Sequence, residues 1–482
     1  MITFISSIVI LILGFIFYGK FIERFFGADN TITTPAININ DGVDYIPMKP
    51  WKMYTIQFLN IAGLGPIFGA ILGAMYGPIA YVWIVLGNIF MGATHDYFSG
   101  MLSLRNNGAS LPELVGKYLG NGFRQILRIF SLLLLIMVGV AFVNGPADLL
   151  FSYTGINYKI WLYIIFIYYL IATLLPINKI IGKIYPAFGI VLIFMAIAIG
   201  GYMLINGLNG SFHIAELKLS DFKNLHQNPK QNILYPMLFI VISCGAISGF
   251  HSTQSPMMAR CMTKESQGRY VFYGAMITEG IVAIIWATAA MNYFENTHGL
   301  NEIVLSGKNP AWIVKEISQT WFGKVGTAIT ILGVIAAPIT TGDTAFRSAR
   351  LIIADTLKIN QASIKKRLIV SIPLFIVGYI LTQVNFSVIW KFLGLFNQML
   401  SVFMLWTAAM YLKKSNKNHW LLSLPATFMS AVTITYLMVA PIKNGGLYIP
   451  TTFGYIIGVI ASILILILFL FSKKEEIELN KF

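Results

Sequence analysis

Five ionisable side chains lie inside otherwise apolar runs of this sequence, and each is of a type that relays a proton or holds an ion. His95 and Asp96 lie in Gly92-Ala93-Thr94-His95-Asp96-Tyr97-Phe98-Ser99-Gly100. His251 lies in Ser243-Cys244-Gly245-Ala246-Ile247-Ser248-Gly249-Phe250-His251-Ser252-Thr253-Gln254-Ser255-Pro256. Glu279 stands between Thr278 and Gly280, and Asp343 lies in Pro338-Ile339-Thr340-Thr341-Gly342-Asp343-Thr344. The hydroxyls of Thr340, Thr341 and Thr344 are hard oxygen donors beside a carboxylate, which suits Na⁺ or a proton path. Structural roles compete at each place. His95 and Asp96 can simply bond neighbouring helices. Asp343 and Arg347, at i and i+4, can form an ion pair. The threonines can bond the preceding turn. Glu279 has no partner within one helical turn, so it needs one from elsewhere in the fold.

Other chemistries find no support. There is no Gly-x-x-x-x-Gly-Lys-Ser/Thr loop for ATP and no His-Glu-x-x-His zinc helix. Two cysteines, Cys244 and Cys261, exclude a disulfide scaffold and a Cys-rich zinc site. His95, Asp96, His251 and Glu279 are imaginable metal ligands, but no metal and no cofactor is expected beyond H⁺ or Na⁺ as coupling ion.

These residues need a frame that holds them in an apolar medium. Of the 482 residues, 57% are hydrophobic and 11% charged, against about 25% charged in soluble domains. Mean hydropathy is +0.73. This excludes a soluble enzyme, a disordered hub and a nucleic-acid binder, and leaves an all-α polytopic membrane protein. A helix crosses the hydrocarbon layer in about 20 residues. On that window about thirteen spans are expected: Ile2–Gly19, Thr55–Tyr76, Ile79–Ser103, Ile126–Asn144, Ile160–Leu175, Ile184–Ile205, Leu234–Met257, Tyr270–Tyr293, Val325–Phe346, Leu368–Thr382, Phe386–Leu412, Trp420–Val439 and Thr451–Phe471. Gly77-Pro78 separates spans 2 and 3, and Asn385 separates spans 10 and 11. Span 1 reads as a retained anchor, because its basic residues, Lys20 and Arg24, follow it. The polar stretches Glu23–Lys52, Asn206–Ile233 and Asn292–Phe322 are each too short to enclose a core.

The net charge of +15 is a topology signal. Loops on one side of the alternating spans hold 25 lysines and arginines, and those on the other side hold 8. The richer side is expected in the cytoplasm, with the N-terminus outside and the C-terminal tail inside a bacterial inner membrane.

Two spans carry glycine–proline interruptions, which membranes tolerate only where the freed backbone lines a cavity. Span 2 contains Asn60-Ile61-Ala62-Gly63-Leu64-Gly65-Pro66-Ile67-Phe68-Gly69, and span 7 contains the His251 run. They lie five spans apart in the order of the chain. Spans 2–6 and 7–11 would then be two halves of opposite orientation, and paired broken helices in such halves point to a transporter's binding site. Small residues can instead serve close helix packing, which covers Gly63, Gly65 and Gly69 but not His251-Ser252-Thr253-Gln254.

Several of these blocks, taken in order, resemble the carbon starvation protein A family over about Pro50 to Phe471. They are Gly63–Gly69, Gly92 with His95-Asp96-Tyr97 and Ser99-Gly100-Met101, Phe250–Pro256, Met276 with Glu279-Gly280 and Ala283, Thr340–Ala345, and Phe396-Asn397-Gln398. The resemblance implies import of small nutrients under carbon limitation, peptides in some members and pyruvate in others, with proton coupling in the latter. It also implies the LeuT-like five-plus-five inverted repeat of the amino acid–polyamine–organocation superfamily, with span 9 hydroxyls facing carbonyls around Ala62–Gly65. Many relatives are longer on the C-terminal side, and features of that extension do not carry over.

The expected organisation is an anchor helix at 1–22, repeats at 55–206 and 234–412, two peripheral helices at 418–471 and a cytoplasmic tail at 472–482. The expected activity is symport of a peptide or pyruvate-like carboxylate, with no enzyme activity. Substrate is expected at Gly63, Gly65, Pro66, Gly69, Ser248, His251, Ser252 and Gln254. The coupling ion is expected among Ala62, Thr340, Thr341, Thr344, Asp343, Glu279, His95 and Asp96. H⁺ is favoured over Na⁺. A passive channel and an intramembrane metal-dependent enzyme are the rivals of other classes. Partners are the small-molecule substrate and the lipid bilayer, with no nucleic acid; oligomeric state is not legible.

Overall fold

The computed structural model describes residues 1–177, 181–212, 214–384 and 386–472, and every regular element among them is helical. Helices cover the expected spans, mostly with longer ends, and spans 2 and 7 are each broken into two. Span 1 continues to Phe26. Span 9 grows into Pro310–Leu357, 48 residues. Its start is set by Asn309, whose side chain accepts from Trp312 N, and by Pro310 in the first turn. Gly323, at φ 63° and ψ −163°, interrupts it. By length and apolarity alone, 7 described helices are able to cross a bilayer, and a bent pair makes 8. The expected break at Asn385 and the tail beyond residue 472 lie outside the described residues.

Apolar side chains face outward, and a set of polar ones is buried within the apolar core. Phe17, Ile129, Ile197 and Leu468 are exposed on the periphery, whereas Asn60, Asp96, Glu279, Thr340 and Asp343 are fully buried. Lipid accepts the first set, and only protein partners or a cavity accept the second. Spans 1 and 13 are mostly uncovered, and span 8 is almost wholly enclosed. Span 8 packs on both halves of span 2, span 9 packs on span 4, and the second half of span 7 lies along span 3.

Candidate functional site

The first break follows from local chemistry. Helix Pro50–Ile61 stops at Ala62 (φ −82°, ψ 42°), because Pro66 offers no N–H and its ring clashes with the carbonyl one turn back. The chain resumes as a wide turn at Gly65–Gly69, bent 53° from the first half. In span 7 the helix Leu234–Val241 ends at Ile242, and helix His251–Ala259 follows. Gly245, at φ 90°, makes the turn between them. The sequence placed His251 inside the gap. In the structure it opens the second half-helix, since the chain turns at Gly245 and the polar run continues as helix.

The two breaks touch. A Cβ on Gly65 would stand 2.2 Å from Cys244 Sγ, and one on Gly69 would stand 2.8 Å from the Val241 carbonyl oxygen. Between them lies a cavity of about 220 Å³, lined by Gly63, Gly65 and Gly69, by Val241, Ser243, Cys244 and Phe250, and by Phe142, Leu393 and Asn397. Asn232 and Asn444 line one end. Pro66, Ser248, His251, Ser252 and Gln254 are not in that lining. Ser248 Oγ donates to Asn397 Oδ1 (3.0 Å), Ser252 Oγ to the Gly249 carbonyl (2.6 Å), and Gln254 Nε2 to Thr253 Oγ1 (3.0 Å).

Side-chain amides from other spans hold the unwound backbone. Asn397 Oδ1 also accepts from Phe250 N (2.6 Å). Gln398 Nε2 donates to the carbonyls of Phe239 (3.1 Å) and Ile247 (3.2 Å). Asn88 Nδ2 donates to those of Gly245 and Met276, both at 2.8 Å. Sequence reasoning gave Asn88 no role and quoted Asn397 and Gln398 without one; an amide inside an apolar run was the available signal. Replacing Gln398 with leucine strands two carbonyls and should cost about 1–3 kcal/mol. Thermal unfolding of the detergent-solubilised variant tests this, and a melting point equal to the parent's would show that the amide is dispensable.

The ionisable residues gather beside the breaks. Asp96 accepts from both imidazoles, His95 Nδ1 on Oδ1 and His251 Nδ1 on Oδ2, each at 2.8 Å. His251 Nε2 then lies 3.6 Å from Glu279 Oε2. The partner that Glu279 lacked on its own helix is therefore His251. Asp343 stands apart: it accepts from Tyr185 OH and, at 3.4 Å, from Thr173 Oγ1. The i, i+4 pair with Arg347 does not form. Arg347 reaches down to the carbonyls of Ala172 (2.5 Å) and Leu175 (2.8 Å) and to Asp44 (3.3 Å). Thr340 and Thr344 bond their own helix. Thr341 Oγ1 also meets the Leu59 carbonyl of span 2 at 3.1 Å, one turn before the buried Ala62 cap.

At the far end of the bundle from Asn232 the chain is latched. Asp44, in the segment between spans 1 and 2, takes Arg350 Nη2 on both oxygens (3.1 and 3.2 Å) as well as Arg347. Burial alone would raise its carboxyl, but Arg350, Arg347 and Arg260 outweigh it and hold the group below the ordinary carboxylate value.

Two interrupted spans facing one cavity, beside buried acids, are accompanied by a match along most of the chain. The model of the carbon starvation protein CstA family fits residues 1–154, 146–330 and 307–436. The chain belongs to this family. A Haemophilus influenzae membrane protein without assigned activity is 42% identical over 64% of this chain and 95% of its own length. The Bacillus subtilis peptide transporter CstA is 25% identical over 96% of this chain and 94% of that one. The Escherichia coli pyruvate/proton symporter BtsT is 27% identical over 59% of this chain, which spans 48% of that longer protein. Among solved structures, MhsT in complex with L-phenylalanine is similar at a TM-score of 0.55 and 13% identity, over 88% of this chain and 99% of that one. A Na⁺-coupled sialic acid symporter is similar at 0.54 and 12%, over 99% and 98%. The fold is therefore that of LeuT-type transporters, in a CstA-family, multi-pass membrane protein. The named relatives and neighbours are transporters, and this chain is not an enzyme.

Proposed function

We propose that this CstA-family protein is a secondary active symporter that imports a small carboxylate, of the pyruvate or short-peptide class, in response to carbon starvation. The observation that carries the reading is the cavity between two facing breaks. Half-helix N-termini attract anionic groups, so the substrate carboxylate would meet the Gly65–Gly69 turn. At about 220 Å³ the space falls below the roughly 300–1,000 Å³ typical of larger ligands, which favours a small solute. The names of BtsT and the CstA relatives point to the same two substrates.

The thirteen-span, five-plus-five inverted arrangement belongs to this proposal. It comprises the anchor at 1–22, repeats at 55–206 and 234–412, peripheral helices at 418–471 and a tail at 472–482, with the N-terminus outside and the C-terminus inside a bacterial inner membrane. The driving ion would be a proton, taken up by Asp343, Glu279 or the His95–Asp96 pair. One observation supports Na⁺ instead: Thr341 faces the Leu59 carbonyl, and both amide atoms of the neighbouring, buried Asn60 lack hydrogen-bond partners.

Uptake of labelled pyruvate and of a dipeptide into proteoliposomes tests the reading. An inward proton gradient should drive accumulation, and a protonophore at constant Na⁺ should abolish it. Equilibration without accumulation would make the protein a passive channel, and no entry of either solute would overturn the substrate class. Glu279→Gln should retain substrate binding and lose uphill uptake; unchanged accumulation would remove Glu279 from coupling.

A further inference from the structure

Three potential ligand atoms converge where the breaks meet. Cys244 Sγ, a His251 ring nitrogen and a Glu279 oxygen all lie within 4.8 Å of one another. His251 and Glu279 are fully buried, yet apart from the 3.6 Å contact between them, too long for a hydrogen bond, His251 Nε2, Glu279 Oε1 and Glu279 Oε2 have no hydrogen-bond partner. Orphaned polar atoms at such depth need an explanation. The 3.6 Å between His251 Nε2 and Glu279 Oε2 is already about the ligand-to-ligand spacing that bonds of roughly 2.0–2.2 Å give around a tetrahedral ion.

The surroundings are those of a built ligand set. Asp96 holds His251 by Nδ1, which leaves Nε2 facing Glu279. Asp96 is itself steadied by His95. Carboxylate–histidine pairs of this kind orient metal-bound imidazoles and raise their basicity. Asn88 ties the Gly245 turn beside Cys244 to the Glu279 helix at Met276. Cys244 also lines the cavity, so a fourth position would open toward it, as in three-ligand zinc sites. We propose that Cys244, His251 and Glu279 form a binding site for a borderline divalent metal ion of the Zn²⁺ class. One thiolate, one imidazole and one carboxylate favour that class over Mg²⁺ or Ca²⁺, which take oxygen ligands. Sequence alone pointed to no metal because Cys244 and His251 match no familiar ligand spacing and Glu279 comes from another helix.

The site goes beyond the symport reading and makes a different demand on Glu279, which cannot hold a metal ion and the coupling proton together. The test is Co²⁺ titration of the full chain in detergent, followed by absorption. The expected result is one Co²⁺ per chain with a thiolate-to-cobalt charge-transfer band, displaced by Zn²⁺ and not by Mg²⁺. Cys244→Ser should abolish the band, and Glu279→Gln should weaken binding at least tenfold. A folded parent without the band, or a band unchanged in Cys244→Ser, would overturn the proposal. The readout needs no substrate, so absent metal binding leaves symport standing, and failed uptake leaves the metal site standing.

Discussion

Asp44→Asn is expected to destabilise the protein by about 3–5 kcal/mol, because it leaves Arg347 and Arg350 buried without their shared counter-charge. Both guanidiniums are fully buried and Asp44 is nearly so. Asparagine keeps the size and one acceptor, so the loss reports the charge and not a void. The wild-type contribution should be insensitive to ordinary pH. A carboxyl held low in the folded chain stabilises it fully above its unfolded value, about 3.9. That stability fades only as pH falls through the lower native value. Thermal unfolding gives the magnitude, and Cys261 gives the place. Its thiol is buried 3.9 Å from the Asp44 carbonyl oxygen, so the variant should let a small maleimide reach it. A variant that melts like the parent, with Cys261 still protected, would show that the latch does not hold that end closed.

Gly65→Ala should abolish uptake and cost about 1–3 kcal/mol through overpacking. The added methyl would lie 2.2 Å from Cys244 Sγ and 2.3 Å from its Cβ. The sulfur can swing away, but the Cβ moves only with the backbone, so the two breaks must part. Cys244→Gly removes both obstructing atoms and leaves its Cα at 3.8 Å, ordinary contact. The double variant should therefore regain uptake to within about tenfold of Cys244→Gly alone, a coupling that a double-mutant cycle reads directly. Full activity in Gly65→Ala, or no rescue, would refute the close apposition of the breaks.

The helices were legible because lipid demands long apolar runs, and the first break because Gly63, Gly65 and Pro66 announce it locally. The second break was legible only as a region. Polar residues such as His251 and Ser252 look like a gap in sequence, yet Ser252 and Thr253 satisfy themselves on carbonyls three residues back and permit a helix. The residues expected to bind substrate do not share one surface for the same reason: Gly63, Gly65 and Gly69 line the cavity, while His251 turns to Asp96 and Glu279. The latch was invisible because Asp44 and Arg350 are 306 residues apart. Nothing in a polar loop says which distant helix end it will neutralise. Cys244 was not legible as a ligand, since Gly65 and Glu279 reach it from spans 2 and 8.

Helix Pro310–Leu357 carries Thr341, which touches span 2, and Arg347 and Arg350, which grip Asp44. Nine residues at about 1.5 Å each put roughly 14 Å between the outermost of these, on one uninterrupted stretch of rod beyond Gly323. A stiff lever of that length cannot tilt at its upper contact without carrying its lower one along. Tuning of the threonine end by drift or by design will therefore be felt at the Asp44 contact, and changes at the two places should need mutual compensation.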